Sequence, residues 1–221
     1  MSETPATLSR PLSALEAAIG AAVVIGHNVF RILPNEVPTL FVAALVSTRL
    51  REGGWAALGF VRPRSWRVVI LLSVGAAVLR MALGDLVIEP LTVHVWPPIA
   101  APKGAERIPH DAMAALTALG FVWTFAAFGE EIGYRGYLMK RIANVGGGGR
   151  TAWSCGLLGS AVLFGFGHFY KGPAGVLDSG VAGLILGGVY LLSGRCLWTT
   201  ILAHGLIDTT AVVLTYLGLN N

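Results

Sequence analysis

Most of the chain lies in seven long apolar runs, and these constrain its fold more than any other feature. Of its 221 residues, 54% are hydrophobic and 13% are charged, whereas soluble domains carry about 25% charged residues. A run of about 20 apolar residues is long enough to cross a bilayer as a helix. The sequence therefore predicts an all-α, polytopic transmembrane helical bundle of about seven spans (six to eight), forming a single transmembrane domain over residues 1–221. The runs are 12–33, 37–48, 66–89, 111–129 or 111–140, 151–170, 173–194 and 196–219.

Apart from Arg80 and Arg135, which lie within runs, the basic residues fall in the short polar segments between them and form no continuous basic face. This favours membrane topology and argues against nucleic-acid binding. If the runs alternate across the membrane, one side carries ten Lys and Arg residues and the other carries four. The positive-inside rule then places the N-terminus in the cytoplasm, and we expect an integral protein of a bacterial cytoplasmic membrane. One miscounted span would reverse part of this assignment. The ten residues are Arg10, Arg49, Arg51, Arg62, Arg64, Arg67, Lys140, Arg141, Arg150 and Arg195.

Three groups of polar residues lie in or beside the apolar runs of the second half. An ionisable side chain at the centre of a span costs at least about 2.5 kcal/mol, and such residues are usually functional. The first group is Glu130, Glu131 and Arg135. Glu131 and Arg135 are four residues apart, so they share a helix face and can pair, whereas Glu130 points about 100° away. The alternative is that the helix ends here with both glutamates solvated.

The other two groups follow the same four-residue spacing. Phe164 can pack beside His168 near the end of the fifth run, and His204 can face Asp208 in the middle of the last run. Each imidazole also has a structural interpretation, as an interfacial residue or as one side of a hydrogen bond between helices. Function is favoured because the three groups occur on three separate runs.

Together these side chains can support hydrolysis of a peptide bond. A glutamate shielded from water can take a proton from a water molecule, and a histidine can orient that water. A second histidine and a neighbouring polar group can stabilise the developing oxyanion. The residues Glu130, His168 and His204 are also a plausible ligand set for Zn²⁺ with an open fourth position. The residues alone leave both mechanisms open, one without a cofactor and one with zinc.

At these residues the chain resembles the CPBP family of intramembrane proteases, which includes the CAAX prenyl proteases, bacteriocin-processing proteins and Abi proteins. Three motifs match in order: Glu-Glu-x-x-x-Arg from Glu130, Phe-x-x-x-His from Phe164, and His-x-x-x-Asn/Asp from His204. The resemblance covers about residues 110–216. The part of the chain before residue 110 resembles the family only in being apolar.

The resemblance implies a role for each matched residue. Glu130 would be the general base and His168 would help to activate the water, while His204 and Asp208 would line the oxyanion site. Glu131 and Arg135 would brace the site, with Phe164 beside the imidazole. The prenyl endopeptidases carry Asn where this chain has Asp208, and an ionised Asp cannot donate a hydrogen bond. Either Asp208 is protonated or it orients His204.

The leading hypothesis is therefore an intramembrane endopeptidase. Its substrate would be a membrane-associated protein, cleaved near its C-terminus in a prenylated, sorting-signal or precursor segment. The alternatives are a membrane immunity or regulatory protein that binds on the same scaffold without catalysis, and a proton-coupled transporter in which the same Glu and His residues relay protons.

Overall fold

A computed structural model describes residues 9–99, 101 and 103–219. This part of the chain folds into seven helices without a β-strand, so the predicted all-α class and the count of seven runs are confirmed. The helices are α1 (Arg10–Asn28), α2 (Glu36–Glu52), α3 (Trp66–Thr92), α4 (Ala112–Val145), α5 (Arg150–Gly167), α6 (Gly172–Leu192) and α7 (Leu197–Tyr216).

Within the described residues, four helices are long and apolar enough to cross a membrane. They are α3, α4, α7 and α6 together with the short turn Phe169–Lys171 that precedes it. Large apolar side chains on these helices point outward, among them Leu71 at 72% exposure and Leu192 at 76%. Outward-facing leucines suit contact with lipid tails, and the chain is an integral membrane protein.

The helix ends follow from local chemistry. Asn35 precedes α2 and accepts a hydrogen bond from the backbone N–H of Val37, while Asp111 does the same for Met113 and Ala114 at the start of α4. The run 37–48, short for a crossing, becomes the 17-residue helix α2. Pro38 lies in its first turn, where the missing N–H costs no helical hydrogen bond.

Helix α4 does not end at the glutamates. It continues for 34 residues, and it is wound as a π-helix over Val122–Glu130 and Ile132–Met139. Glu131 lies inside this helix with an exposed fraction of 0%. The alternative that Glu131 is solvated at a helix end is therefore wrong. Wide π-helical turns are rare, and they occur frequently at functional sites.

One end of the bundle is held by an ionic cluster, which we call the basic-end cluster, formed by Glu16, Arg51, Glu52, Lys140 and Arg141. Glu16 pairs with Arg51 and lies 2.7 Å from Nε of Arg141. Glu52 pairs with Lys140 and accepts from Nη1 of Arg141 at 2.8 Å. The start of α1 and the ends of α2 and α4 therefore meet at one end, which agrees with the predicted alternation of the runs. We call this the basic end.

Helices α5 and α6 pack closely through small residues. A Cβ on Gly183 would lie 2.9 Å from Cα of Ala161, which no side chain larger than hydrogen tolerates without movement. Because α5 starts at Arg150, next to the end of α4, it runs away from the basic end. The connection from α5 to α6 therefore lies at the opposite end of the bundle.

Candidate active site

The polar residues of the second half converge on one cavity of about 370 Å³. We call it the central cavity. Glu130 from α4, His168 from the end of α5, and His204 and Asp208 from α7 all line it, with Phe164 beside them. Glu130 and Asp208, 78 positions apart in sequence, therefore share one space. Arg80, Tyr170, Lys171 and Ser179 complete its polar lining.

Three helices deliver these groups from different directions. Glu130 lies near the midpoint of α4, and His168 is the first residue after α5. His204 and Asp208 are one turn apart on α7, and α7 packs against α4 at Gly205. A Cβ on Gly205 would lie 2.4 Å from the ring of Trp123, so any larger residue beside His204 would require that ring to move.

Glu131 joins two of the predicted groups. Its Oε1 accepts from Nη1 of Arg135 at 2.7 Å and from Nδ1 of His204 at 2.8 Å. Arg135 also donates to the backbone carbonyl of Gly183 at 3.3 Å. Glu131 and Arg135 are almost fully buried, so these charge-assisted contacts tie α4 to both α6 and α7. The predicted Glu131–Arg135 pair thus forms, and it holds a catalytic candidate in place.

Phe164 is the aromatic centre of the site. Its ring centroid lies 4.8 Å from that of His168 and 5.9 Å from that of His204. The guanidinium carbon of Arg135 lies 4.4 Å from the same centroid, close enough for a cation–π interaction. The predicted packing of Phe164 on His168 is present, and the ring also contacts two residues of the other groups.

The backbone assigns a tautomer to His168. Its Nδ1 lies 2.9 Å from the carbonyl oxygen of Phe164. A carbonyl oxygen only accepts hydrogen bonds, so Nδ1 carries the proton. In the neutral ring Nε2 is then an acceptor, which can receive a hydrogen bond from a water molecule.

His204 lies between two carboxylates. Glu131 holds Nδ1, and Oδ2 of Asp208 lies 3.5 Å from Nε2 on the other side of the ring. A distance of 3.5 Å is longer than an ordinary hydrogen bond, so Nε2 keeps room for another partner. This geometry suits the second role expected for Asp208, that of orienting His204.

Glu130 forms no ion pair with any of the described residues. Among the described residues, no side chain or backbone group forms a hydrogen bond with its buried Oε2. A buried carboxylate oxygen without a protein partner is normally satisfied by water or by a ligand. Glu130 lines the central cavity, so its carboxylate group lies beside any water or substrate held there.

Sequence reasoning missed part of this site. Arg80 of α3 lines the central cavity and pairs with Asp178 of α6, although the sequence features pointed only to the second half of the chain. The signal was present, because Arg80 is an ionisable residue inside an apolar run, as Glu130 is. Tyr170 and Lys171 gave no comparable signal, since they lie in a polar connection between helices.

The arrangement does not fit the zinc set of Glu130, His168 and His204. Both nitrogens of His204 face carboxylates, at Glu131 and Asp208. In the part of the chain that the structure describes, no three His, Cys, Asp or Glu side chains are grouped as metal ligands. We therefore derive no step through a metal.

Comparison with known proteins gives one match. Residues 112–210, just under half of the chain, match the family model described as type II CAAX prenyl endopeptidase Rce1-like. No curated protein and no solved structure matches the chain. The matched range contains all three motifs, from Glu130 to Asp208, and most of the residues that line the central cavity. Residues 112–210 are thus similar to the type II CAAX prenyl endopeptidases, which confirms the resemblance to the CAAX proteases that the motifs indicated.

Proposed function

We propose that the protein is an intramembrane endopeptidase that hydrolyses a peptide bond near the C-terminus of a membrane-associated protein, using water activated by Glu130 and His168. One observation carries this proposal. Glu130, His168 and His204 reach a single cavity from three helices, within a region that matches a family of peptidases. A cavity with convergent polar groups inside an apolar bundle is the expected form of such a site.

Glu130 acts as the general base. A water molecule in the central cavity donates one hydrogen bond to the carboxylate of Glu130 and another to Nε2 of His168. As its oxygen attacks the carbonyl carbon, one proton passes to Glu130 and the carbonyl electron pair moves to oxygen. When the C–N bond of this tetrahedral intermediate breaks, Glu130 returns the proton to the departing amine.

His204 stabilises the negative oxygen of that intermediate. With protons on both nitrogens, its ring donates to Glu131 through Nδ1 and offers the Nε2–H to the cavity beside Asp208. A donor fixed in advance costs no reorganisation at the moment of reaction. Glu131, itself held by Arg135, fixes the ring.

The orientation in the membrane decides which substrates reach the site. The basic end carries most of the lysines and arginines, so we place it and the N-terminus in the cytoplasm of a bacterial cell. His168, Tyr170 and Lys171 line the central cavity from the α5–α6 connection, at the opposite end. The scissile bond of the prenylated, sorting-signal or precursor segment would then be reached from the non-cytoplasmic half of the bilayer.

Cleavage of a membrane-anchored reporter tests the proposal. The purified protein in liposomes should cleave a reporter with a C-terminal membrane segment, and Glu130→Gln should abolish cleavage. Glu89→Gln is the matched control, because Glu89 is an exposed glutamate of α3 outside the cavity. Cleavage that persists in Glu130→Gln would refute the peptidase. Rescue of a deletion phenotype by a His168→Ala/His204→Ala double variant would instead indicate a binding protein without catalysis.

A further inference from the structure

A second cavity, of about 520 Å³, lies at the basic end, away from the central cavity. It is bounded by the connection between α2 and α3, by the first turn of α3, and by the turn between α6 and α7. Arg62, Arg64 and Ser65 line one part of it, and Val68 and Leu192 line another. We call it the interfacial cavity, and the proposed peptidase chemistry uses none of these residues.

The polar part of the interfacial cavity carries uncompensated positive charge. Arg62 and Arg64 are exposed, and no carboxylate of residues 9–99, 101 and 103–219 lies within ion-pair distance of either. An adjoining cavity of about 230 Å³ shares Val61 and Gly194 with it and adds Arg195, while the charge of its Lys140 is already paired with Glu52. This concentration of cations favours a bound anion.

The apolar part of the interfacial cavity is open to the membrane. Val68 is 52% exposed and Leu192 is 76% exposed, and both belong to helices that are apolar enough to cross a bilayer. Trp66, at the start of α3, is 51% exposed in the same region. Exposed tryptophans and arginines at the end of a transmembrane helix mark the level of the lipid headgroups. One side of the interfacial cavity therefore faces headgroups and the other faces acyl chains.

We propose that the interfacial cavity binds an anionic phospholipid of the leaflet at the basic end. Its phosphodiester lies between Arg62 and Arg64, and one acyl chain lies along Val68 and Leu192. A guanidinium matches the geometry of phosphate oxygens better than other side chains do. Basic pockets beside transmembrane helices on the cytoplasmic side bind such headgroups, whereas a soluble phosphate would leave the apolar wall uncovered.

Native mass spectrometry of the purified full-length protein in neutral detergent tests this site. Phosphatidylglycerol, phosphatidylcholine and glycerol 1-phosphate are titrated separately. We expect Arg62→Gln/Arg64→Gln to weaken phosphatidylglycerol binding by about 30-fold, which corresponds to about 1 kcal/mol for each arginine at 1.4 kcal/mol per tenfold change. Phosphatidylcholine should bind weakly to both proteins. Arg62→Lys/Arg64→Lys, which keeps both charges, should retain most of the affinity.

A second double variant distinguishes a specific lipid site from general electrostatic attraction of anionic lipid to the basic end. Arg49→Gln/Arg67→Gln removes the same charge from the same end, but neither residue lines the interfacial cavity. Its phosphatidylglycerol affinity should stay within about twofold of the parent, given that exposed charges act weakly at a distance. An equal loss in both Gln variants would overturn the proposal, as would equal affinities for glycerol 1-phosphate and phosphatidylglycerol. Neither outcome bears on reporter cleavage, so this proposal and the peptidase can fail separately.

Discussion

The basic-end cluster and the central cavity both bring charged side chains from several helices into the protein, but they use them differently. At the basic end each carboxylate is shared by two cations: Glu16 by Arg51 and Arg141, and Glu52 by Lys140 and Arg141. Beside the central cavity, Glu131 is shared in the same way by Arg135 and His204.

The difference lies in the neighbouring residue. Glu130 lines the central cavity and forms no ion pair with any residue of the described part of the chain. A cluster whose members all pair with one another stabilises the bundle, whereas an unpaired carboxylate that lines a cavity can act on a ligand. The two clusters should therefore respond in opposite ways to the same glutamate-to-glutamine change.

Glu130→Gln should have the largest effect of any single change on activity. Loss of a general base lowers kcat by about 10²–10⁴-fold, and Gln keeps the size of the side chain without accepting a proton. Reporter cleavage measures the loss, and the midpoint of thermal unfolding should stay close to that of the parent. If Glu130→Gln instead lowered stability strongly and left cleavage per folded molecule unchanged, Glu130 would have a structural role and the comparison would be wrong.

Glu52→Gln should have the opposite pattern. It weakens the contacts to Lys140 and Arg141 and leaves their charges only partly compensated, so we expect about 3 kcal/mol of destabilisation. Unfolding in sodium dodecyl sulfate, followed by circular dichroism, measures it. Cleavage per folded molecule should not change, and Glu89→Gln again serves as the control for an exposed glutamate.

Asp208→Asn should have a small effect. Asn supplies the residue that the prenyl endopeptidases carry at this position, and its side-chain oxygen can still face Nε2 of His204. We expect kcat/KM to stay within about tenfold of the parent, as for the loss of one modest hydrogen bond. A loss as large as that of Glu130→Gln would mean that the charge of Asp208 is needed for the chemistry.

Removal of metal should have the smallest effect. The side chains of the site are not arranged as a zinc set, so cleavage should survive dialysis against 1,10-phenanthroline. Reporter cleavage before dialysis, after it, and after addition of Zn²⁺ checks this. Activity that disappears on dialysis and returns with Zn²⁺ would favour the zinc mechanism for Glu130, His168 and His204.

Local helix geometry explains what the sequence could predict. The pairs Glu131–Arg135, Phe164–His168 and His204–Asp208 all follow from a spacing of four residues, which the winding of a single helix determines. The seven runs likewise follow from the cost of burying polar residues in lipid.

Contacts between helices could not be predicted in the same way. In a membrane the packed face and the lipid-facing face of a helix are both apolar, so hydrophobic periodicity does not reveal how the helices are rotated. The bond from Glu131 to His204 and the approach of Arg80 to the central cavity depend on that rotation. The π-helical winding of α4 has no marker that we can identify in its residues.

The bonds made by Glu131 and Arg135 also restrict the path of a substrate. Glu131 links α4 to α7 through His204, and Arg135 links α4 to α6 through the carbonyl of Gly183. Parting these three helices at this level would break both bonds and leave buried polar groups without partners, which costs about 1–3 kcal/mol for each group. A peptide therefore has to reach Glu130 by a route that leaves α4, α6 and α7 together.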